Sequence, residues 1–207
     1  MVDGNPHHAA PEVGAPGLGT VFMGERYEHD HNTEYSAWVE NKLIERVKEA
    51  RARIEPARLG VGWGMAMANI NRRARDEEGP AFLGLNPDGP ADRQIGLLRL
   101  EKADGSLLAL VANYAMHGTV LGDENKTISG DAPAIVAVYV GERLGAPMLY
   151  INGAYADFET GHLSQFRGLV VDKTIAANHL MGPTPSAVRL SLGATTVETP
   201  RKAGQRT

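Results

Sequence analysis

"IGLLRLEKADGSLLALVANYAMHG", residues 95–118, decides the fold. Two apolar runs, 95–101 and 107–114, flank a short polar link containing Asp104-Gly105, a pair suited to the left-handed backbone of a tight turn. The stretch reads as a β-hairpin whose second strand runs into His117. A helix is expected from Asp131, with Pro133 suited to its first turn and Gly145 to its stop. Between them lie Ile135, Val136, Val138, Tyr139 and Leu144, and "PMLYIN", 147–152, then reads as another strand. Strand, helix and strand over this distance form a βαβ unit with a right-handed crossover. The predicted class is therefore α/β: a mixed sheet with a β-hairpin and a βαβ unit, helices packed on the sheet.

Upstream, Tyr35, Val39, Leu43, Val47, Ala50 and Ile54 recur at spacings of three and four. They predict a helix with one apolar stripe, capped by Thr33, carrying Glu34 in its first turn and ended by Pro56. "LGVGWGMAMANINR", 59–72, alternates small residues with Val61, Trp63, Met65 and Met67 and reads as one Gly-rich strand. Residues 72–94 read as a long polar loop. A helix over about 163–181 and a strand over about 187–198 complete the expected elements. The division is 1–32 as a Gly/Pro/His-rich loop segment, 33–200 as the domain, and 201–207 as a polar tail.

The 207 residues suit one domain or part of one, and 43% hydrophobic with 22% charged residues is ordinary for a soluble globular chain. A net charge of -4 argues against a general nucleic-acid binder. With no cysteine, any metal must take His, Asp, Glu or Tyr. No run approaches the roughly 18 apolar residues of a membrane span. The first residues lack the basic start and apolar core of a signal peptide, and nothing assigns a compartment.

Ligands of a βαβ unit gather at the carboxyl ends of its strands. Those ends carry "HGTVLGDENKTISGD", 117–131, and "NGAYADFETGH", 152–162, both rich in Gly and Asx. On local pattern His117 reads as a hydrogen-bonded structural residue, Asp131 as a helix cap, Asn152-Gly153 as a turn, and Asp157 and Glu159 as solvated. His7 and His8 are adjacent, so on an extended chain they point to opposite faces. His29 and His31 form a rival pair in a polar loop, and His162 and His179 have no evident partners.

Five segments in order resemble the N-terminal catalytic domain of the neutral/alkaline (non-lysosomal) ceramidase family. "HHAAPE", 7–12, is similar to its His-Thr-His-Ser-Gly-Pro segment, here preceded by Pro6. "VENKLIERVKEARARIEPARLGVGWG", 39–64, resembles the helix and strand that follow, and "ANINRR", 68–73, its Asn-x-Asn-Arg segment. "GLLRLEKADGSLLALVANYAMHGTVL", 96–121, resembles its hairpin and histidine. "ISGDAPAIVAVYVGERLGAPMLYINGAYAD", 128–157, resembles the Ser-Gly/Ala-Asp, helix and Gly-Ala-Ala-Gly-Asp region, with Tyr155-Ala156 where the family has small residues.

The resemblance implies zinc-dependent hydrolysis of the amide of ceramide to sphingosine and fatty acid. It implies His117 and His7 as ligands of Zn2+, His8 as an acid/base residue, and Arg72 as a contact to substrate or oxyanion. Asn71, Asn152, Gly153 and Asp131 would line the substrate. The implied partner is a ceramide-like lipid amide. The family's glutamate and tyrosine ligands come from beyond the matched region, so the chain is expected to be an internal part of the catalytic domain with flanking segments elsewhere. Two other readings remain open: a hydrolase of another amide or ester on the same scaffold, and a non-catalytic truncated fragment.

Overall fold

The computed structural model describes residues 11, 13, 32–75, 79–121, 125–153 and 170–182. In chain order the elements are α1 (Thr33–Ala52), β1 (Arg58–Met65), β2 (Asn71–Ala74), β3 (Phe82–Asn86), β4 (Gln94–Glu101), β5 (Leu107–Tyr114), α2 (Asp131–Leu144), β6 (Met148–Asn152) and α3 (Asp172–Leu180). The expected strand over 187–198, the tail, His7, His8, His29, His31 and His162 lie outside the described residues.

The hairpin forms as its sequence requires. β4 pairs antiparallel with β5, Ile95 opposite Tyr114 and Leu97 opposite Ala112. Gly105 takes φ +87° in the turn, and the Asp104 carboxylate accepts from the Ser106 amide at 2.9 Å and hydroxyl at 2.7 Å. β5 then pairs parallel with β6, Tyr114 opposite Asn152, with α2 as the crossover. Gly145 closes α2 at φ +68°, a conformation glycine enters without a Cβ penalty. β1 pairs antiparallel with β4, giving a mixed sheet in the order β1-β4-β5-β6. β1, β5 and β6 run the same way, so their carboxyl ends share one edge of the sheet.

Two sequence expectations change. The stretch 59–72 is not one strand: β1 stops at Met65, the chain runs irregularly through 66–69, and β2 starts a second sheet with β3. The supposed loop 72–94 contains β3, paired antiparallel with β2. The cap of α1 is also displaced by one residue. Asn32, not Thr33, is the N-cap, its side-chain oxygen accepting from the Tyr35 amide at 2.9 Å.

The inner face of the sheet holds the core. Ile95, Leu97, Leu110, Ala112, Tyr114, Met148 and Tyr150 pack under Ala132, Val136 and Val140 of α2 and Ala177 of α3. α3 lies against β1 because β1 presents glycines there: a Cβ on Gly64 would stand 2.8 Å from the Ala177 Cβ. Arg99 ties the last turn of α3 to β4, donating to the carbonyls of Asn178 at 3.2 Å and Gly182 at 2.7 Å. The outer face is apolar too, with Val61, Trp63, Met65, Leu98, Leu149 and Ile151 exposed. α1 has no fully buried residue, so its apolar stripe forms no part of the core.

One phenol organises the carboxyl edge. Tyr114 is fully buried; its hydroxyl donates to the Ala66 carbonyl at 3.0 Å and accepts from the amides of Ala68 and Asn69 at 3.1 and 3.2 Å. Tyr150 donates its hydroxyl to the Tyr114 carbonyl at 3.1 Å. Burial pushes both phenols above the ordinary tyrosine range.

Three outcomes are expected. Tyr114→Phe strands three buried backbone groups and should cost about 1–3 kcal/mol in urea unfolding. Gly64→Val should cost a similar ~1–3 kcal/mol by overpacking against Ala177. The tyrosines carry the third. Their folded pKa lies above the unfolded value of about 10, so their contribution is intact below that pH and lost above it, where the unfolded chain ionises first. The urea midpoint should hold from about pH 7 to 9 and fall above about 10, less steeply in Tyr150→Phe.

Candidate functional site

Three chain segments leave the sheet at the edge where β1, β5 and β6 end. The first, 66–72, leads from β1 to Arg72. The second, 115–121, leads from β5 through His117. The third is Asn152-Gly153 at the end of β6. The start of α2 closes the group from the side.

Asn69 binds the first two segments together. It is 1% exposed, and its amide nitrogen donates to the carbonyls of Ala115 and Asp92, both at 2.6 Å. Its side-chain oxygen accepts from Arg93 Nη1 at 3.0 Å. Every polar atom of this amide is thus used, and the Ala115 carbonyl it grips lies two residues before His117. The Gly153 amide donates to the Tyr114 carbonyl at 3.1 Å, bringing the third segment alongside. A Cβ on Gly153 would stand 3.2 Å from the Ala115 backbone, so this close passage suits glycine.

Asp131 anchors the second segment to α2. It is 2% exposed, and its carboxylate accepts from the amides of Val120 at 3.2 Å, Leu121 at 2.9 Å and its neighbour Ala132. The negative charge sits at the positive end of α2. Its backbone takes φ +52°, a strained choice for a non-glycine residue. Gly130, not Asp131, occupies the N-cap position, and the Asp131 amide is held by Ser129 Oγ at 3.0 Å.

The remaining candidates fall as follows. His117 is half-buried just beyond β5. Arg72 is half-buried on β2, its Nε donating to the Gly84 carbonyl at 2.8 Å. Asn71 spends its side chain within the loop: Nδ2 donates to the Pro90 carbonyl at 2.9 Å, and Oδ1 accepts from the Arg73 amide at 2.8 Å. Asn152 differs. Both polar atoms of its side chain are buried without a hydrogen-bond partner among the described residues. Arg58 Nε and Asn178 Oδ1 are also orphaned, but they lie at the start of β1 and on α3, away from this edge. Sequence reasoning gave Asn69 no role, although it is the first residue of the Asn-x-Asn-Arg segment, 69–72.

Among the described residues, no three His, Asp or Glu side chains gather as a metal-binding group. His117 is the one implied ligand the structure describes. Among the described residues, His117 by itself does not complete a three-ligand zinc centre. No described helix is long and apolar enough to cross a membrane.

Comparison with protein-family models and with curated proteins gives no match. Solved structures do match. The chain is similar to the neutral ceramidase from Pseudomonas aeruginosa, with a TM-score of 0.59 and 16% identity over 72% of this chain and 27% of that one. It is also similar to a ceramidase complexed with C2, with a TM-score of 0.51 and 15% identity over 64% of this chain and 24% of that one. The chain thus spans about a quarter of the length of each. At this identity the likeness is one of fold.

Asp131→Ala removes the acceptor of three amides, those of Val120 and Ala132 in buried bonds, and should cost about 2–4 kcal/mol. Asp131→Asn keeps one acceptor and should cost less, both read from urea midpoints.

Proposed function

We propose that this chain carries part of the site of a ceramidase-like hydrolase, which cleaves the linear amide of a long-chain N-acyl lipid. The unpartnered Asn152 amide carries the reading. A buried amide without a partner costs roughly 1–3 kcal/mol, and such groups in native folds call for an explanation such as a ligand. A carboxamide offers a donor and an acceptor side by side, matching the carbonyl and N–H of an amide substrate. It stands at the carboxyl end of β6, beside Gly153 and across from the strand that leads to His117. The likeness to ceramidase structures supports the same reading.

In this reading Asn152 Nδ2 donates to the carbonyl oxygen as water adds to its carbon and negative charge develops there. The C–N bond then breaks, and the amine departs with a proton as the acid forms. Arg72, a permanently charged donor, is assigned to the same developing charge. His8 is assigned as the acid/base residue. His117 and His7 are assigned as ligands of Zn2+, the ion that would polarise the carbonyl and activate the water. The side chains of Asn71 and Asp131 are occupied by backbone, so they shape the site through the loops they hold. Gly153 lets the third segment pass close to Ala115.

Zinc content separates this reading from the non-catalytic alternative. Protein purified without chelator should hold about one zinc per chain, lost in His117→Ala. Asn152→Leu should leave the urea midpoint unchanged or raised, because an orphaned amide is removed. Its rate of fatty-acid release from ceramide should fall about 100-fold or more. Absence of zinc and of hydrolysis in the wild type defeats the catalytic reading. Equal cleavage of simple amides and ceramide defeats the lipid assignment.

A further inference from the structure

The outer face of the four-stranded sheet is built like an interior. Reading across the strands in register, one row is Val61, Leu98, Val111 and Leu149, and the next is Trp63, Gly96, Asn113 and Ile151. Leu59, Leu100 and Ala109 form the row on one side, Met65 and Gln94 the row on the other. No charged residue stands on any of these rows. Asn113, the one polar side chain in the middle, donates to the Ile151 carbonyl at 3.1 Å and needs no outside partner for that group. Yet Trp63 is 63% exposed, Leu149 61% and Val61 57%. A sheet face meant for water alternates polar residues with the buried set, and this one does not.

We infer that this face is the docking surface for a second copy of the chain, two sheets stacking face to face across a two-fold axis. The absence of charge makes the surface self-complementary, since no row would place like charges opposite each other. The dimensions suffice. Strands about 4.8 Å apart, with residues about 3.3 Å apart along each, give four strands a plane of roughly 400 Å². The side chains on it expose more than that plane, on the order of the ~800 Å² each partner gives a stable interface. Aligned sheets pack about 10 Å apart with interdigitated side chains. Trp63 covers Gly96, where a Cβ would lie 3.1 Å from the indole, so the glycine admits the ring to the middle of the face. The inference does not depend on the catalytic reading.

Sedimentation equilibrium of the whole chain tests it. The wild type is expected to be a dimer at micromolar concentration. Val61→Lys and Leu149→Lys change exposed positions on the face, and each should weaken association at least 100-fold. Val138→Lys, exposed on α2, should leave it unchanged. Far-UV circular dichroism confirms folding of each variant. In a Trp38→Phe background, the remaining Trp63 emission should shift to the red on dilution and in Leu149→Lys. A wild type that stays monomeric at 100-fold higher concentration overturns the inference. So does a dimer indifferent to both face variants, or open-ended aggregation in place of a dimer.

Discussion

The carboxyl edge of the sheet depends on the Tyr114 hydroxyl. Past Met65 the chain leaves β1, and its backbone groups lose their ladder partners. Buried amides and carbonyls without partners are costly. Tyr114 meets this need from the neighbouring layer, giving one donor to Ala66 and accepting from Ala68 and Asn69. Because the 66–69 segment is held by a side chain and not by a strand, it is free to turn away and begin the second sheet at Asn71. The Tyr114 backbone serves the other side: its carbonyl receives both the Tyr150 hydroxyl and the Gly153 amide. One residue thus joins the ends of three strands. The site needs these ends together, and regular sheet pairing alone does not supply that.

The hairpin and the βαβ unit were legible because local signals and global fold agree there. Asp104-Gly105 makes the turn, Gly145 makes the stop, and apolar residues fill the strands. The break at 66–69 was not legible. Its alternation of small and apolar residues continues through Met67, and what ends the strand is a phenol 46 residues away along the chain. β3 was hidden for a similar reason. Phe82, Leu83 and Leu85 are exposed on a two-stranded sheet, so no buried face imposes a clear period of two. The helix at 33–52 was legible as a helix, but its stripe did not become a buried face. Periodicity states which side could be buried; only a neighbouring element buries it.

For the site, the sequence placed His117, Asp131 and Asn152-Gly153 at strand ends, and all of them lie at the same edge. Their roles were less legible. Asp131 and Asn71 look like groups for a ligand, but their oxygens and nitrogens are taken by backbone. Asn69 carries no role on sequence beyond opening the Asn-x-Asn-Arg segment, and it is the tie between the His117 and Arg72 segments. The contrast between Asn69 and Asn152 shows why residue type is insufficient. Both are carboxamides at the same edge. One is saturated by Ala115, Asp92 and Arg93, which makes it a clamp; the other has both polar atoms buried and empty-handed.

The same reasoning connects the site to the two faces of the sheet. On the inner face β1 presents Gly60, Gly62 and Gly64 in succession, with Gly62 admitting Met181 and Gly64 admitting Ala177 of α3 to close approach. The large apolar side chains of β1, Leu59, Val61, Trp63 and Met65, therefore stand on the outer face. A strand so arranged contributes little to the core beneath it and much to whatever lies above. Water is a poor occupant for that position, because the hydrophobic cost rises with each exposed apolar group. The carboxyl edge adjoins this face: Met65 is the last residue of β1, and Ile151 immediately precedes Asn152. A layer covering the outer face would also shield that edge from solvent. A low dielectric there strengthens every polar contact the edge makes, including those of an amide that now has none.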